Sequence, residues 1–261
     1  MKKIGLLSLF SSLVLASSAL AITYDLTTAG SSAVVNGATF QQIPGAVAGT
    51  GNIVSFVRVQ GNGIEEGFNA TVRPVMTNVG TDPNFTRDIR LSDVPVVNGA
   101  YEFLLDINQT LPGSLLSLDA LRIFTRSVLG GGALATAASL TDLTDALNIQ
   151  QRYSLDTLLG NPPVNNSITL NYALNHGSGK GDLAVYVPTA FFAGSLPTDF
   201  VYLYSRFGEN FVGNDGFEEW NVRVVETAGV GDGGSTVAML GAVLFGIGLI
   251  SRREWFGSLH A

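Results

Sequence analysis

The chain has 261 residues, a formal net charge of −7, no Cys and 13% charged residues, about half the usual ~25%. Its 46% apolar share excludes intrinsic disorder. The absence of Cys excludes a disulfide scaffold, thiol catalysis and Cys-ligated metal centres. The acidic balance argues against a nucleic-acid partner, which would need a basic face.

At the start, Met1-Lys2-Lys3 leads into an apolar run over 4–15, and small residues follow at Ser17, Ser18, Ala19 and Ala21. A positive start, an apolar middle and an A-x-A ending predict a signal peptide over 1–21, cut after Ala21 by signal peptidase. A retained anchor helix is the other reading of the same residues.

The body over 22–229 is dominated by β-branched and aromatic runs. Strands are predicted over 52–60, 71–76, 85–91, 101–107, 118–125, 168–174, 183–187, 200–205 and 218–226. The Gly-rich stretch from Asn175 to Gly181 reads as the turn of a hairpin joining 168–174 to 183–187. Gly61-Asn62-Gly63 reads as the turn that ends the first strand. Gly213 and Gly216 predict a tight turn around Asn214-Asp215 that delivers Phe217 or Trp220 into the core. Helix is expected in two places only: over 134–148, with Thr141 or Asp142 as cap, and in a single turn after Pro188. Many short strands separated by Gly, Asn and Pro turns predict an all-β fold, a single antiparallel, jelly-roll-like β-sandwich.

Catalytic material is sparse. His176 is the only histidine of the body and sits in the Gly-rich turn, with no G-x-S-x-G elbow around any serine. Gly177-Ser178-Gly179-Lys180-Gly181 lacks the spacing of a phosphate loop. A glycosidase needs two facing carboxylates. Neighbours on a strand point to opposite faces, so a working pair would combine one of Glu65 and Glu66 with one of Glu218 and Glu219. Solvated carboxylates are the simpler reading. No cofactor is expected, and no metal-ligand set stands out. A structural Ca²⁺ is the one inorganic partner left open, because Asn62, Glu65, Asn214 and Asp215 offer loop oxygens; ordinary Asx turns use the same residues. Tyr202, Tyr204 and Trp220 suit core packing, with sugar stacking as the alternative.

At the other end, an apolar run over 235–250 is followed by Arg252-Arg253 and Trp255-Phe256. Its ~16 residues at ~1.5 Å each span about 24 Å, short of the ~30 Å hydrocarbon core. With its glycines and no polar face it predicts a short transmembrane helix, held with Arg252 and Arg253 in the cytoplasm. A buried core helix is the alternative. Ahead of the run stand Val230, Gly231, Asp232, Gly233, Gly234, Ser235 and Thr236. This motif, helix and basic cluster over 230–261 resemble the C-terminal sorting tails of exosortase substrates, the VPDSG-CTERM type related to PEP-CTERM tails, with Gly231 where that family has Pro. The runs 52–59, 103–108, 116–119 and 214–220 resemble a body type that recurs among PEP-CTERM proteins. The resemblance implies a substrate of an exosortase-type membrane protease, exported to the cell envelope, surface or extracellular matrix, and not an enzyme. A carbohydrate-binding or adhesive matrix module that engages extracellular polysaccharide is the first alternative, and a polysaccharide hydrolase the second.

Overall fold

The computed structural model describes residues 20–44, 53–71, 78–80, 82–109, 113–129, 139–145, 148–157, 163–177, 179 and 181–224. Ala19, the motif Val230–Gly234, the run 235–250, Arg252, Arg253 and most of the expected strand 71–76 lie outside these residues. Among the described residues no helix is long and apolar enough to cross a membrane.

The strands in chain order are β1 (Leu20–Asp25), β2 (Ser32–Val35), β3 (Ala38–Gln42), β4 (Ile53–Gly63), β5 (Glu65–Phe68), β6 (Ile89–Arg90), β7 (Val96–Val97) and β8 (Ala100–Asp106). There follow β9 (Leu115–Arg126), the helix α1 (Leu140–Thr144), β10 (Ile149–Ser154), β11 (Val164–Asn171), β12 (Leu183–Pro188), β13 (Phe200–Phe207) and β14 (Gly213–Arg223). They form two sheets. The first has the order β1-β11-β9-β13-β5, with β10 also on β9 and β6 on β13. The second has the order β2-β3-β12-β8-β14-β4, with β7 on β8. The expected all-β sandwich is therefore present. It is not wholly antiparallel, because β1 runs parallel to β11.

Period-two alternation builds the core between the sheets. Leu116, Leu118, Leu121, Ile123, Ile168, Leu170, Val201 and Leu203 face inward from the first sheet. Phe40, Phe56, Phe103, Leu105, Val185 and Trp220 meet them from the second. Trp220 is 0% exposed, and its indole Nε1–H donates to Ser205 Oγ at 3.0 Å, across from β14 to β13. A smaller cluster on the first sheet packs Phe124, Tyr202 and Tyr204 against Leu143 of α1.

Several expectations need correction. The stretches around 168–174 and 183–187 do not close a hairpin. β11 lies in the first sheet and β12 in the second. Both carry apolar inward faces, and the two faces oppose each other across the core instead of lying side by side. The chain leaves β11 where Asn171 Oδ1 accepts from the Ala173 amide and starts a 3₁₀ turn at Tyr172–Leu174. Gly61-Asn62-Gly63 is not a turn: β4 continues through it, with Asn62 opposite Asn214 and Gly63 opposite Gly213. The stretch 85–91 is strand only at Ile89–Arg90, because Phe85 and Thr86 fold back onto Asp82. α1 is capped by Ser139, whose Oγ accepts from the Asp142 amide, and not by Thr141 or Asp142. The expected turn after Pro188 is present as a 3₁₀ segment, Thr189–Phe192. Gly213 and Gly216 do not turn with positive φ. A bulge between Asn214 and Phe217 puts Asp215 at φ 67° instead. Gly216 is required because a Cβ there would lie 1.3 Å from the Asn108 carbonyl oxygen.

Trp220→Ala removes both the core volume and the inter-sheet hydrogen bond. A loss of about 3–5 kcal/mol is expected, a large share of the ~5–15 kcal/mol that holds a domain together. Trp220→Phe keeps most of the packing and leaves the Ser205 hydroxyl without its donor, for a loss of about 1–3 kcal/mol. Urea unfolding midpoints check both, and an unchanged midpoint for Trp220→Ala would contradict the core assignment.

Candidate functional site

The four candidate carboxylates separate into three environments. β4 belongs to the second sheet and β5 to the first, so the chain changes sheets at Ile64 and delivers Glu65 to the seam between them. Glu218 arrives on β14 of the second sheet. Both are 0% exposed. Glycines make the room: a Cβ on Gly213 would stand 3.0 Å from Glu65 Oε1, and one on Gly61 would stand 3.2 Å from Glu65 Cβ. Gln109 Nε2 donates to Glu218 Oε1 at 2.7 Å. Glu65 Oε1, Glu65 Oε2 and Glu218 Oε2 find no hydrogen-bond donor among the described residues.

Burial raises Glu65 above the usual carboxylate range. Burial pushes Glu218 well above that range, and the adjacent Glu65 adds to the shift. Two carboxyls side by side in a closed site cannot both ionise. One proton held between them is the donor that the orphaned oxygens lack. The pair thus combines one Glu from each segment, as a hydrolase would require. As folded, neither side chain is open to water or to a sugar. Glu66 accepts from the Tyr204 hydroxyl and faces Arg206 at 3.9 Å. Glu219 pairs with Arg58, whose guanidinium lies over the rings of Phe85 at 3.3 Å and Phe217 at 4.3 Å.

Two of the oxygen donors considered for calcium, Asn62 and Asp215, face one another. Asn62 Nδ2 donates to Asp215 Oδ2 at 3.1 Å, and Asn214 Nδ2 donates to the Gly113 carbonyl at 3.1 Å. Glu65 is taken up in the buried pair. Among the described residues no three acidic or histidine side chains are grouped to hold a metal. His176 is exposed, with its ring 5.3 Å from that of Tyr172. Tyr202, Tyr204 and Trp220 are all buried, so none of them forms a surface platform.

Sequence reasoning missed a cavity of about 470 Å³ along β10, lined by Asn36, Arg122, Arg152, Tyr153, Asp156 and Phe191 among others. Its wall begins at the Asn36-Gly37 turn between β2 and β3, where φ values of 47° and 84° identify the primed hairpin turn that Asn-Gly favours. Asn36 Nδ2 donates to the carbonyls of Ser154 and Leu155 at 3.1 and 2.8 Å, tying the turn to the end of β10. Phe191 packs directly on Gly37, where a Cβ would meet the ring at 2.8 Å. Its ring stacks on Tyr153, with centroids 6.5 Å apart at 16°. Arg152 is fully engaged, donating to Thr125 Oγ1, the Ala193 carbonyl and Gln150 Oε1. Asp156 accepts from the Asn166 amide at 3.0 Å. Burial raises its carboxyl, while that amide and the charge of Arg122 oppose the shift. Arg122 itself makes no hydrogen bond or ion pair among the described residues, and its Nε is buried without an acceptor.

No protein-family model, curated protein or solved structure matches the chain.

The buried pair sets a sign for pH dependence. The unfolded chain releases these protons near the ordinary value of 4.5, and the folded chain holds the Glu218 proton to well above it. Between the two values the folded state binds more protons. Stability is therefore complete below about pH 4.5 and falls as pH rises through the folded value. Glu218→Gln replaces the shared proton with an amide that donates to Glu65 at every pH. Its melting temperature should fall less than that of wild type as pH rises above about 4.5. Scanning calorimetry across that range checks this, and parallel profiles would contradict a shared proton.

Proposed function

We propose that this chain is an exported, non-enzymatic protein of the cell envelope or extracellular matrix. Signal peptidase releases its N-terminus after Ala21. An exosortase-type membrane protease processes the tail at the motif Val230–Gly234, while the helix over 235–250 and Arg252-Arg253 hold it in the inner membrane. The body is displayed as a jelly-roll-like sandwich.

The observation that carries this reading is the three-part tail, a motif, a short apolar run and an arginine pair, at one end of a chain whose other end has the pattern of a signal peptide. The position of β1 is compatible with it. Cleavage after Ala21 removes two exposed residues of β1 and keeps the pairings from Ile22 opposite Asn166 to Asp25 opposite Thr169. The sealed Glu65–Glu218 pair favours this reading over the hydrolase. The cavity along β10 favours a second reading, in which the body is a binding module for extracellular polysaccharide.

Intact-mass spectrometry of the protein from its own cells tests the processing. The expected main species starts at Ile22 and ends near Asp232. Recovery of Met1 through Ala261 as the main species would contradict it.

A further inference from the structure

We propose that the cavity along β10 binds an acidic sugar unit, with the ring carboxylate held by Arg122. This deepens the binding-module reading and rests on it.

Arg122 stands on β9 opposite Ser154 of β10, half-buried and lining the cavity. A guanidinium carries five donors in a planar fork that matches a carboxylate. Three other partly buried arginines use theirs. Arg223 grips Glu102 with two contacts at 2.9 and 3.1 Å, Arg58 pairs with Glu219, and Arg152 makes three hydrogen bonds. Arg122 alone among these four has no hydrogen bond or ion pair among the described residues. A buried donor without an acceptor is costly, and a ligand carboxylate removes that cost.

The rest of the lining is already fixed. Asn36 is held by Ser154, Leu155 and Thr157. Tyr153 donates its hydroxyl to the Val35 carbonyl at 3.0 Å. A preformed wall lowers the ordering cost of binding, and about 470 Å³ lies within the ~300–1,000 Å³ of small-molecule sites.

The surroundings select among anions. Asp156 shares the cavity but forms no ion pair with Arg122. Its carboxylate repels a compact multivalent anion such as sulfate. It accepts well from sugar hydroxyls, which flank the single carboxylate of a hexuronate. Phe191 is 37% exposed and presents an apolar surface to the C–H side of a pyranose ring. With a chain charge of −7, general attraction of anions does not operate here. Of the two cations lining the cavity, Arg152 is held by Thr125, Ala193 and Gln150, which leaves Arg122 to grip the carboxylate.

Isothermal titration of the full chain in detergent micelles at low ionic strength tests the proposal. The probes are a galacturonate trisaccharide, a neutral glucose trisaccharide and inorganic sulfate. Galacturonate is expected to bind at least tenfold tighter than either of the others. Arg122→Gln is expected to weaken galacturonate at least tenfold with an unchanged melting temperature. Arg122→Lys keeps the charge without the fork and should fall between the two, and Phe191→Ala should weaken galacturonate several-fold. If the neutral trisaccharide binds as well as galacturonate and Arg122→Gln is silent, the acidic-sugar assignment fails and the polysaccharide reading stands. Sulfate binding as tight as galacturonate also overturns the assignment. Absence of binding by either trisaccharide overturns both.

Discussion

The contact on which the sandwich depends is the one between Trp220 and Ser205. β14 lies inside the second sheet between β8 and β4, and Trp220 stands opposite Leu105 on one side and Val57 on the other. β13 lies inside the first sheet between β9 and β5. The indole therefore joins interior strands of both sheets with a single side chain. A buried N–H requires an acceptor, which fixes the position of β14 relative to β13 and not merely their distance. The bulges of β14, between Asn214 and Phe217 and again between Trp220 and Asn221, set the faces around this contact. The first of them also places Glu218 against the seam where Glu65 enters. Core and carboxyl pair are thus two consequences of one strand geometry.

A chain with few charges has put many of them inside. Glu65, Glu102, Asp119, Asp156, Glu218 and Glu219 are all buried; Glu65 and Glu218 face each other, and the other four have partners of their own. Glu102 takes the fork of Arg223 and the Tyr186 hydroxyl. Asp119 takes Ser117, Asn210 and the Glu209 amide. Buried carboxylates satisfied in this way fix register. Arg122 differs from them: among the described residues it makes no hydrogen bond or ion pair.

The fold was legible where one strand face is strongly apolar. β4, β8, β9, β13 and β14 follow from β-branched alternation, and so does the buried Trp220. Pairing was not legible, because a period of two tells which side a residue faces and not which strand lies beside it. β11 and β12 show this: both alternate well, yet they stand in opposite sheets. The turns around Asn36-Gly37 and Asn98-Gly99 carry a hairpin signal that was overlooked. Both follow Val-Val and precede Ala, and both have positive φ at the two central residues. The two hairpins flank β12 in one sheet, with Phe40 and Phe103 both opposite Val185. Phe40 is four residues past its Asn and Phe103 is five past its own, so equivalent positions after the turn face opposite ways. The site was legible only in part. The alternation rule called for one Glu from each segment, and Glu65 and Glu218 do meet. Their burial depends on the sheet crossing at Ile64, which local sequence does not encode. The cavity draws on a turn, two strands and a 3₁₀ segment distant in sequence, and no motif marks it.

Hydrogen exchange at the indole nitrogens, followed by NMR, reads the closure of the sandwich at Trp220 and Ser205. The chain has two tryptophans, Trp220 and Trp255. The account expects the Trp220 Nε1–H to exchange only through global unfolding, with a protection free energy equal to that from denaturant unfolding. Exchange of that proton through local fluctuations, well below the global value, would contradict a sandwich closed by Trp220 and Ser205.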